Sequence, residues 1–434
     1  MGKKGVVFVL LAVTSLFALA ESAWALPAFA LKEKTACTMC HTNGSAPHLT
    51  KIGYLYRRAG FRFPWDIGNK DKDDKAMNIT SHLAAGSNLT YNVGDNQPPG
   101  ATKASLLDNE FGVPEVELWP LVGGFFGNFG AWTEIDADLT KGLALGMADL
   151  RYVRGNKDFW FNFRGGLLSS EGYGASDQWF DDANIPLFDQ LSPYYNQDTL
   201  VLPFGAMGQP ELGAEVGVNY YDTHLTLGMY NGFYGSFDPS LGTGPQTNTL
   251  NPVIQSTTGQ KDYKVQLDQF LGENFEFTAG YYNGSVPLID SAGTNWTDGY
   301  SEWRLYVTYS LLPSTLDLLA GGAFDMSQYT NPGTGVSSGT FNTDGVFLGA
   351  MYYAMPHVSF AARFDFDQYN TTPDSPFSAR GMELMASFPF DNNIFVIHYN
   401  MVGSDLGSNS VMANAQDTYA GLTHSLRAEW RFLF

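Results

Sequence analysis

Most of the chain's C-terminal three quarters alternates between apolar and polar side chains, in short segments separated by turn residues. In residues 262–271, Tyr263, Val265 and Leu267 fall on one side, and Asp, Lys and Gln residues fall between them on the other. The same period of two recurs in residues 302–311. This period is typical of β-strands that have one apolar and one polar face.

Fourteen segments show such a pattern, at lengths near the ten or so residues of a tilted membrane-spanning strand. The candidate strands are residues 124–136, 143–154, 159–169, 211–220, 224–233, 262–271, 275–282, 302–311, 316–326, 345–354, 358–369, 378–388, 393–402 and 422–434. A further strand is predicted over residues 111–119. Because closed bacterial barrels normally have an even strand number, we expect one more, within residues 87–93 or 200–204. The sequence thus predicts about 16 strands, within a range of 14–18.

The predicted connections alternate between short and long. Turns such as residues 221–223 are followed by loops such as residues 170–210 and 403–421. Short turns at one end and long loops at the other are typical of outer-membrane barrels, and the final strand ends on the aromatic Phe434. A secreted β-sandwich would explain the alternation but neither of these features. The predicted fold class is therefore all-β, with an outer-membrane antiparallel β-barrel over residues 111–434.

Composition agrees with a membrane barrel. Hydrophobic residues make up 44% of the chain and aromatic residues 15%, while charged residues make up 16%. A soluble protein usually contains about a quarter charged residues. Residues 1–75 contain 11 Lys or Arg and 6 Asp or Glu, which leaves 13 basic and 38 acidic residues in the remainder. Because an acidic surface attracts cations and repels nucleic acid, we expect no nucleic-acid partner.

The N-terminal residues have the pattern of an export signal. Lys3 and Lys4 precede an apolar run over residues 5–20, and residues 23–25 supply a small-x-small cleavage pattern. The alternative is a membrane anchor, but the apolar run is short for a spanning helix. We predict a signal peptide over residues 1–25 and localisation in a bacterial outer membrane.

Residues 37–41 carry the C-x-x-C-H attachment signature of a c-type haem. Two thiols three positions apart on one helical turn can form thioethers with both vinyl groups of a porphyrin, and the next residue then lies under the iron. A disulfide or a thioredoxin-like motif is the alternative, but the chain has only these 2 cysteines and no βαβ context. We predict one haem c, attached through Cys37 and Cys40, with His41 as the proximal iron ligand.

The second axial ligand is left open by the sequence. A small α-helical cytochrome domain over residues 26–85, in or at the barrel lumen, contains three possible donors, namely His48, Met77 and His82. His48 lies so close in sequence to the proximal ligand that a sharp turn would be needed between them. Each of the three could equally be an ordinary surface residue. Residues 86–110 are predicted to be a linker or the first strand.

Basic residues cluster around the haem motif. They could contact haem propionates or the acidic lumen wall, and a propionate partner is favoured over a docking patch. These residues are Lys32, Lys34, Lys51, Arg57 and Arg58.

The chain resembles the fused outer-membrane cytochrome–porins associated with Fe(II) oxidation in iron-oxidising bacteria. The likeness covers a signal peptide, one haem motif near the mature N-terminus and a barrel of similar length. Its most specific parts are residues 25–30, similar to A-x-P-x-F-A, and residues 47–53, similar to P-x-L-x-x-x-G, followed by Tyr56 and residues 60–61. The chain departs from the family at residues 42–46, where family members often carry aromatic side chains.

The resemblance implies electron transfer and Fe(II) oxidase activity at the haem, whose iron would change only its oxidation state. Extracellular Fe(II) would be the electron donor, and a periplasmic cytochrome or copper protein the acceptor. Similar motifs also precede barrels in metal-reducing bacteria, so electron export to an external acceptor is a second hypothesis. A diffusion porin with a haem plug or sensor is a third.

Overall fold

The computed structural model describes part of the N-terminal region and the strands of a barrel. The described residues are 29, 32–41, 49–68, 82–97, 105–111, 115–125, 127–138, 142–168, 211–231, 261–289, 295–312, 315–330, 333–355, 358–370, 377–390, 393–404 and 421–433. The predicted signal peptide, His48 and Met77 lie outside the described residues, as does the candidate strand at residues 200–204.

Seventeen strands form one antiparallel sheet that wraps into a barrel. They are β1 (Ala84–Gln97), β2 (Ser105–Phe111), β3 (Glu115–Phe125), β4 (Phe129–Asp138), β5 (Gly142–Gly155), β6 (Phe159–Leu168), β7 (Glu211–Tyr220), β8 (Thr223–Tyr230), β9 (Asp262–Leu271), β10 (Phe275–Ile289), β11 (Asn295–Leu312), β12 (Leu316–Thr330), β13 (Ser337–Met355), β14 (Val358–Asn370), β15 (Phe377–Phe390), β16 (Asn393–Ser404) and β17 (Gly421–Leu433). The predicted antiparallel barrel is confirmed.

β1 joins the last strand to the early ones. One of its edges pairs with β17, from Gly86 opposite Leu433 to Gln97 opposite Leu422. Its other edge pairs with β3 near the start and with β2 further along, and both run antiparallel to it. β2 and β3 therefore follow one another along the same edge of β1 and share one strand position. The seventeen strands thus occupy sixteen positions in the sheet. β1 covers residues 87–93, one of the two places expected for the hidden strand.

The two faces of the sheet differ in polarity. In β9, Tyr263 and Val265 are exposed on the outside, whereas Asp262, Lys264 and Gln266 are buried on the inside. β11 repeats this alternation, as predicted. In a barrel that lies in lipid, the apolar set meets the acyl chains and the polar set lines the lumen.

Arginine in place of Val265 is expected to destabilise the barrel by about 2–4 kcal/mol, because it would bury a charge in lipid near the bilayer midplane. The measurement is reversible unfolding by denaturant in phospholipid vesicles. Val265→Leu is the matched control and is expected to change the free energy of unfolding by less than about 1.5 kcal/mol. Equal stability of the two variants would mean that this face of β9 does not contact lipid.

The inner face of β11–β16 carries a cluster of large apolar side chains. Buried members of this cluster include Tyr306, Phe347, Met351, Tyr353 and Met385. Each stands at an inward position of its strand. Because these side chains pack against one another, they narrow the lumen on this side of the barrel.

Short connections lie at one end of the barrel and long ones at the other. Residues 221–222 join β7 to β8 and residues 391–392 join β15 to β16, whereas residues 169–210 separate β6 from β7. In outer-membrane barrels the end with short turns faces the periplasm. The end with the long connections then faces the cell exterior.

Candidate functional site at the head of the chain

The described residues 29, 32–41 and 49–68, called the head segment here, lie inside the barrel at its short-turn end. The main element is the helix α1 (Lys51–Arg58), with 3-10 turns over Cys37–Met39 and Pro64–Asp66. Hydrogen bonds join the head segment to the β3–β4 and β7–β8 turns and to the inner faces of β5, β6 and β9. Among the described residues, no helix has the length and apolar content needed to cross a bilayer.

Both ends of α1 are capped. The side-chain oxygen of Thr50 accepts a hydrogen bond from the Gly53 N–H at 3.1 Å. At the other end, Gly60 adopts a left-handed conformation with φ 66°. The N–H groups of Gly60 and Phe61 return to carbonyls of α1 in the Schellman pattern. These caps stabilise a helix of only two turns.

The segment with the C-x-x-C-H motif is attached to the start of α1. The Thr50 hydroxyl donates to the Met39 carbonyl at 2.8 Å, and the Thr50 N–H donates to the Cys40 carbonyl at 2.8 Å. A Cβ on Gly53 would overlap the Cys40 carbonyl oxygen, so this position needs glycine. The P-x-L-x-x-x-G pattern in the sequence therefore ends on a residue that lets the motif approach the helix.

Gly53→Ala is expected to push the motif away from α1, because the added methyl group overlaps backbone atoms that cannot rotate aside. The change should cost about 1–3 kcal/mol of local stability. Limited proteolysis of the membrane-inserted protein should then cleave the head segment faster. Gly68, which has φ 80° and also contacts the barrel, is not a suitable control. Gly299→Ala tests the procedure instead, because Gly299 does not have a positive φ and a Cβ there would have only an ordinary contact, 3.9 Å from a backbone oxygen of β12.

An aromatic cluster lies beside the motif. It consists of Phe29, Tyr56, Phe61, Phe63 and Trp132. The half-buried Cys40 packs against it. The ring centroid of Phe61 stands 5.1 Å from that of Phe29 and 5.6 Å from that of Trp132, with both pairs stacked. The cluster offers a flat apolar surface next to one of the two predicted thioether positions.

Tyr56 keeps its phenol proton within this cluster. Burial raises the pKa of Tyr56 well above its ordinary value, and the neighbouring Glu33 raises it further. The phenol hydroxyl donates a hydrogen bond to Glu33 at 3.2 Å. The aromatic cluster is therefore neutral around Cys40 at physiological pH.

Basic residues of the head segment contact the barrel wall. The Lys51 ammonium lies 2.6 Å from the Asp222 carboxylate in the β7–β8 turn. The Lys32 ammonium donates to the Gly124 carbonyl in β3. These two contacts match the lumen-wall interpretation of the basic residues, which the sequence left beside the propionate interpretation.

Polar contacts also connect α1 to β6 and β9. The Tyr54 hydroxyl donates to the Asp268 carboxylate in β9. Burial raises the pKa of Tyr54 well above its ordinary value, although Arg58 opposes this effect, so the phenol remains a donor. The Asn162 side-chain amide of β6 donates to the Arg58 carbonyl at 2.6 Å. The helix is thus bound to strands on two parts of the inner wall.

Two glycines that face each other, Gly124 in β3 and Gly130 in β4, form what we call the glycine notch. A Cβ on Gly130 would overlap the carbonyl oxygen of Gly60, and one on Gly124 would lie 2.9 Å from the carbonyl oxygen of Phe61. Phe61 has φ 61°, a conformation that costs a non-glycine residue about 1–3 kcal/mol. The barrel wall thus has glycine, with no side chain, where the backbone of Gly60 and Phe61 approaches it most closely.

Of the predicted site residues, the structure places Cys40 at the aromatic cluster and leaves His41 half-buried beside it. Cys37 begins the first 3-10 turn, and its side chain lies outside the described part. His82, two residues before β1, is buried and lies near Phe29, a member of the aromatic cluster. In the described ranges, no group of three or more His, Cys, Asp or Glu side chains is arranged to hold a metal ion.

Sequence reasoning missed several residues that position the head segment. Thr50, Asp268 and the glycine notch are the main ones. Glycines inside a predicted strand were the available signal, because strand glycine often marks the close approach of another backbone. Asp268 gave no signal, because any inward carboxylate of an acidic barrel would look the same.

The fold and the polarity of its two faces define an outer-membrane β-barrel of the porin type. An anion-selective porin from Comamonas acidovorans is similar to this chain, with TM-score 0.50 and 10% identity over 81% of this chain and 98% of that one. OmpF of Salmonella typhi in complex with daunomycin aligns with TM-score 0.48 and 11% identity, over 81% of this chain and 97% of that one. At 10% identity, the likeness to the Comamonas porin shows the fold alone. No protein-family profile matches the chain. No curated protein matches it either.

Proposed function

We propose that the chain is an outer-membrane electron carrier that takes electrons from extracellular Fe(II) at one c-type haem. It passes them to a periplasmic cytochrome or copper protein. The observation that carries this proposal is the position of the C-x-x-C-H segment, which lies within the lumen at the short-turn end. A cofactor bound there would be reachable from the periplasm and would face the lumen on its other side.

The described residues fit a haem. Cys37 and Cys40 would hold it through thioethers, and His41 would bind the iron. The aromatic cluster supplies an apolar wall at Cys40, and Gly53 leaves the motif in contact with α1. When bound, the haem supplies a one-electron ferric/ferrous couple.

The inner face of the barrel favours a cationic donor. The buried charged side chains of the described strands comprise ten carboxylates and five Lys or Arg residues. A lumen with an excess of negative charge raises the local concentration of divalent cations such as Fe²⁺. The donor would then approach from the long-loop end.

The thickness of the membrane supports a redox site inside the barrel. The hydrocarbon core of a bilayer is about 30 Å thick, which is too far for a single electron-transfer step between two sides. A redox centre within the lumen divides this distance between a donor that diffuses in from outside and a carrier at the periplasmic mouth. The chain's own residues would then have to hold the centre in place, and the contacts of α1 with the wall support this.

The test is rapid mixing of the purified, vesicle-inserted protein with Fe(II), monitored by haem absorbance. We expect c-type absorbance that persists after acid–acetone extraction and is reduced by Fe(II) within seconds. Full reduction by dithionite with none by Fe(II) would overturn this direction of flow and favour electron export. A chain without covalent haem but with large ion conductance would instead identify a diffusion porin.

A further inference from the structure

His82 is held in one orientation by the barrel. Only 1% of its surface is exposed. Its Nδ1 lies 2.9 Å from the carbonyl oxygen of Val122 in β3, and the Val122 N–H returns a hydrogen bond to the His82 carbonyl at 2.9 Å. The ring meets Phe125 edge to face, with centroids 6.3 Å apart. These contacts fix both the backbone and the ring.

The contact with Val122 determines which ring nitrogen carries the proton. A carbonyl oxygen only accepts hydrogen bonds, so Nδ1 of His82 must be the donor. In a neutral, buried imidazole the lone pair then resides on Nε2. A histidine whose Nδ1–H is bonded to a backbone carbonyl has the arrangement that proteins use to orient a metal ligand.

His82 and Phe29 of the head segment both approach Gly123 in β3. A Cβ on Gly123 would stand 3.2 Å from His82 Nδ1 and 3.5 Å from the Phe29 ring. Phe29 in turn packs on Phe61 and Tyr56 at 5.1 and 5.8 Å between centroids. His82 therefore lies near the Phe29 edge of the aromatic cluster against which Cys40 packs.

We propose that His82 is the second axial ligand of the haem, bound through Nε2. This inference rests on the proposed function, because it requires the haem that Cys37, Cys40 and His41 would hold. One iron ligand would come from the head segment and the other from just before β1. The haem would then link the two parts of the chain, in addition to the contacts of α1.

The test is His82→Gly in the full-length, vesicle-inserted protein, compared with the natural chain. The natural chain should have a low-spin ferric haem that does not bind CO when reduced. His82→Gly should keep its covalent haem, change to a high-spin ferric spectrum and bind CO stoichiometrically. Added imidazole should restore the low-spin spectrum, because it replaces the lost ring.

His82→Met provides a second test in case the His82→Gly protein does not assemble. His82→Met should retain a six-coordinate haem and raise its reduction potential, since a thioether ligand favours the ferrous state. His48→Ala and Met77→Ala are the matched controls, and both should keep the natural spectrum. A low-spin spectrum in His82→Gly, together with its loss in either control, would overturn the proposal. Absence of covalent haem in the natural chain would instead overturn the proposed function itself.

Discussion

A chain that carries both Cys37→Ala and Cys40→Ala is expected to insert as a folded barrel without covalent haem. Its rate of electron transfer from Fe(II) should fall to that of vesicles without protein. The physical reason is that both proposed thioethers would be lost, while the strand pairing that stabilises the barrel does not involve these residues. Haem content after denaturation measures covalent attachment, and heat-modifiable migration on a gel measures folding of the barrel. Stopped-flow absorbance measures the rate of electron transfer from Fe(II).

Met39 provides the matched control for this variant. It lies between the two cysteines and its side chain is exposed. Met39→Ala should therefore leave haem content and the Fe(II) rate unchanged. If the double cysteine variant still transferred electrons from Fe(II), the motif would not be the redox centre.

Gly130→Val is expected to release the head segment from the barrel wall. The new side chain would occupy the space of the Gly60 carbonyl, at an overpacking cost of about 1–3 kcal/mol. Displacement of the head segment opens the short-turn end, so single-channel conductance should rise above that of the natural chain. Trypsin should also cut at the basic residues of α1 more rapidly.

Gly299→Val in β11 is the control for this second variant. A Cβ there has only an ordinary contact, 3.9 Å from a backbone oxygen of the neighbouring strand. It introduces the same side chain into the same sheet without touching the head segment. Equal conductance and equal protease resistance in the two variants would show that the glycine notch does not hold the head segment.

Much of the barrel can be predicted from the sequence, because lipid on one face and water on the other impose a period of two. This holds for β9 and β11, where the exposed and buried sides agree with the alternation. Two places deviate. The expected strand over residues 124–136 contains the turn at residues 127–128, where Gly and Asn were the overlooked signal. β1 has a weak pattern because glycine and asparagine replace β-branched residues along it.

The candidate site is less predictable. The spacing of Cys37, Cys40 and His41 predicts haem attachment from a few consecutive residues. The location of that motif depends on contacts more than a hundred residues apart, such as that between Tyr54 and Asp268. A single sequence records both partners of such a contact but not their pairing. The aromatic cluster was missed for the same reason, because Trp132 belongs to the barrel and the other members to the head segment.

The glycine notch holds the head segment by the contact of one backbone with another. Neither Gly60 nor Gly130 carries a group that ionises. The Lys51–Asp222 pair, in which the carboxylate is 44% exposed, weakens as ionic strength increases. Shape complementarity between uncharged backbones is not screened in this way. The contact at the notch itself is therefore expected to be the same in dilute and in concentrated salt, and at acidic and at neutral pH.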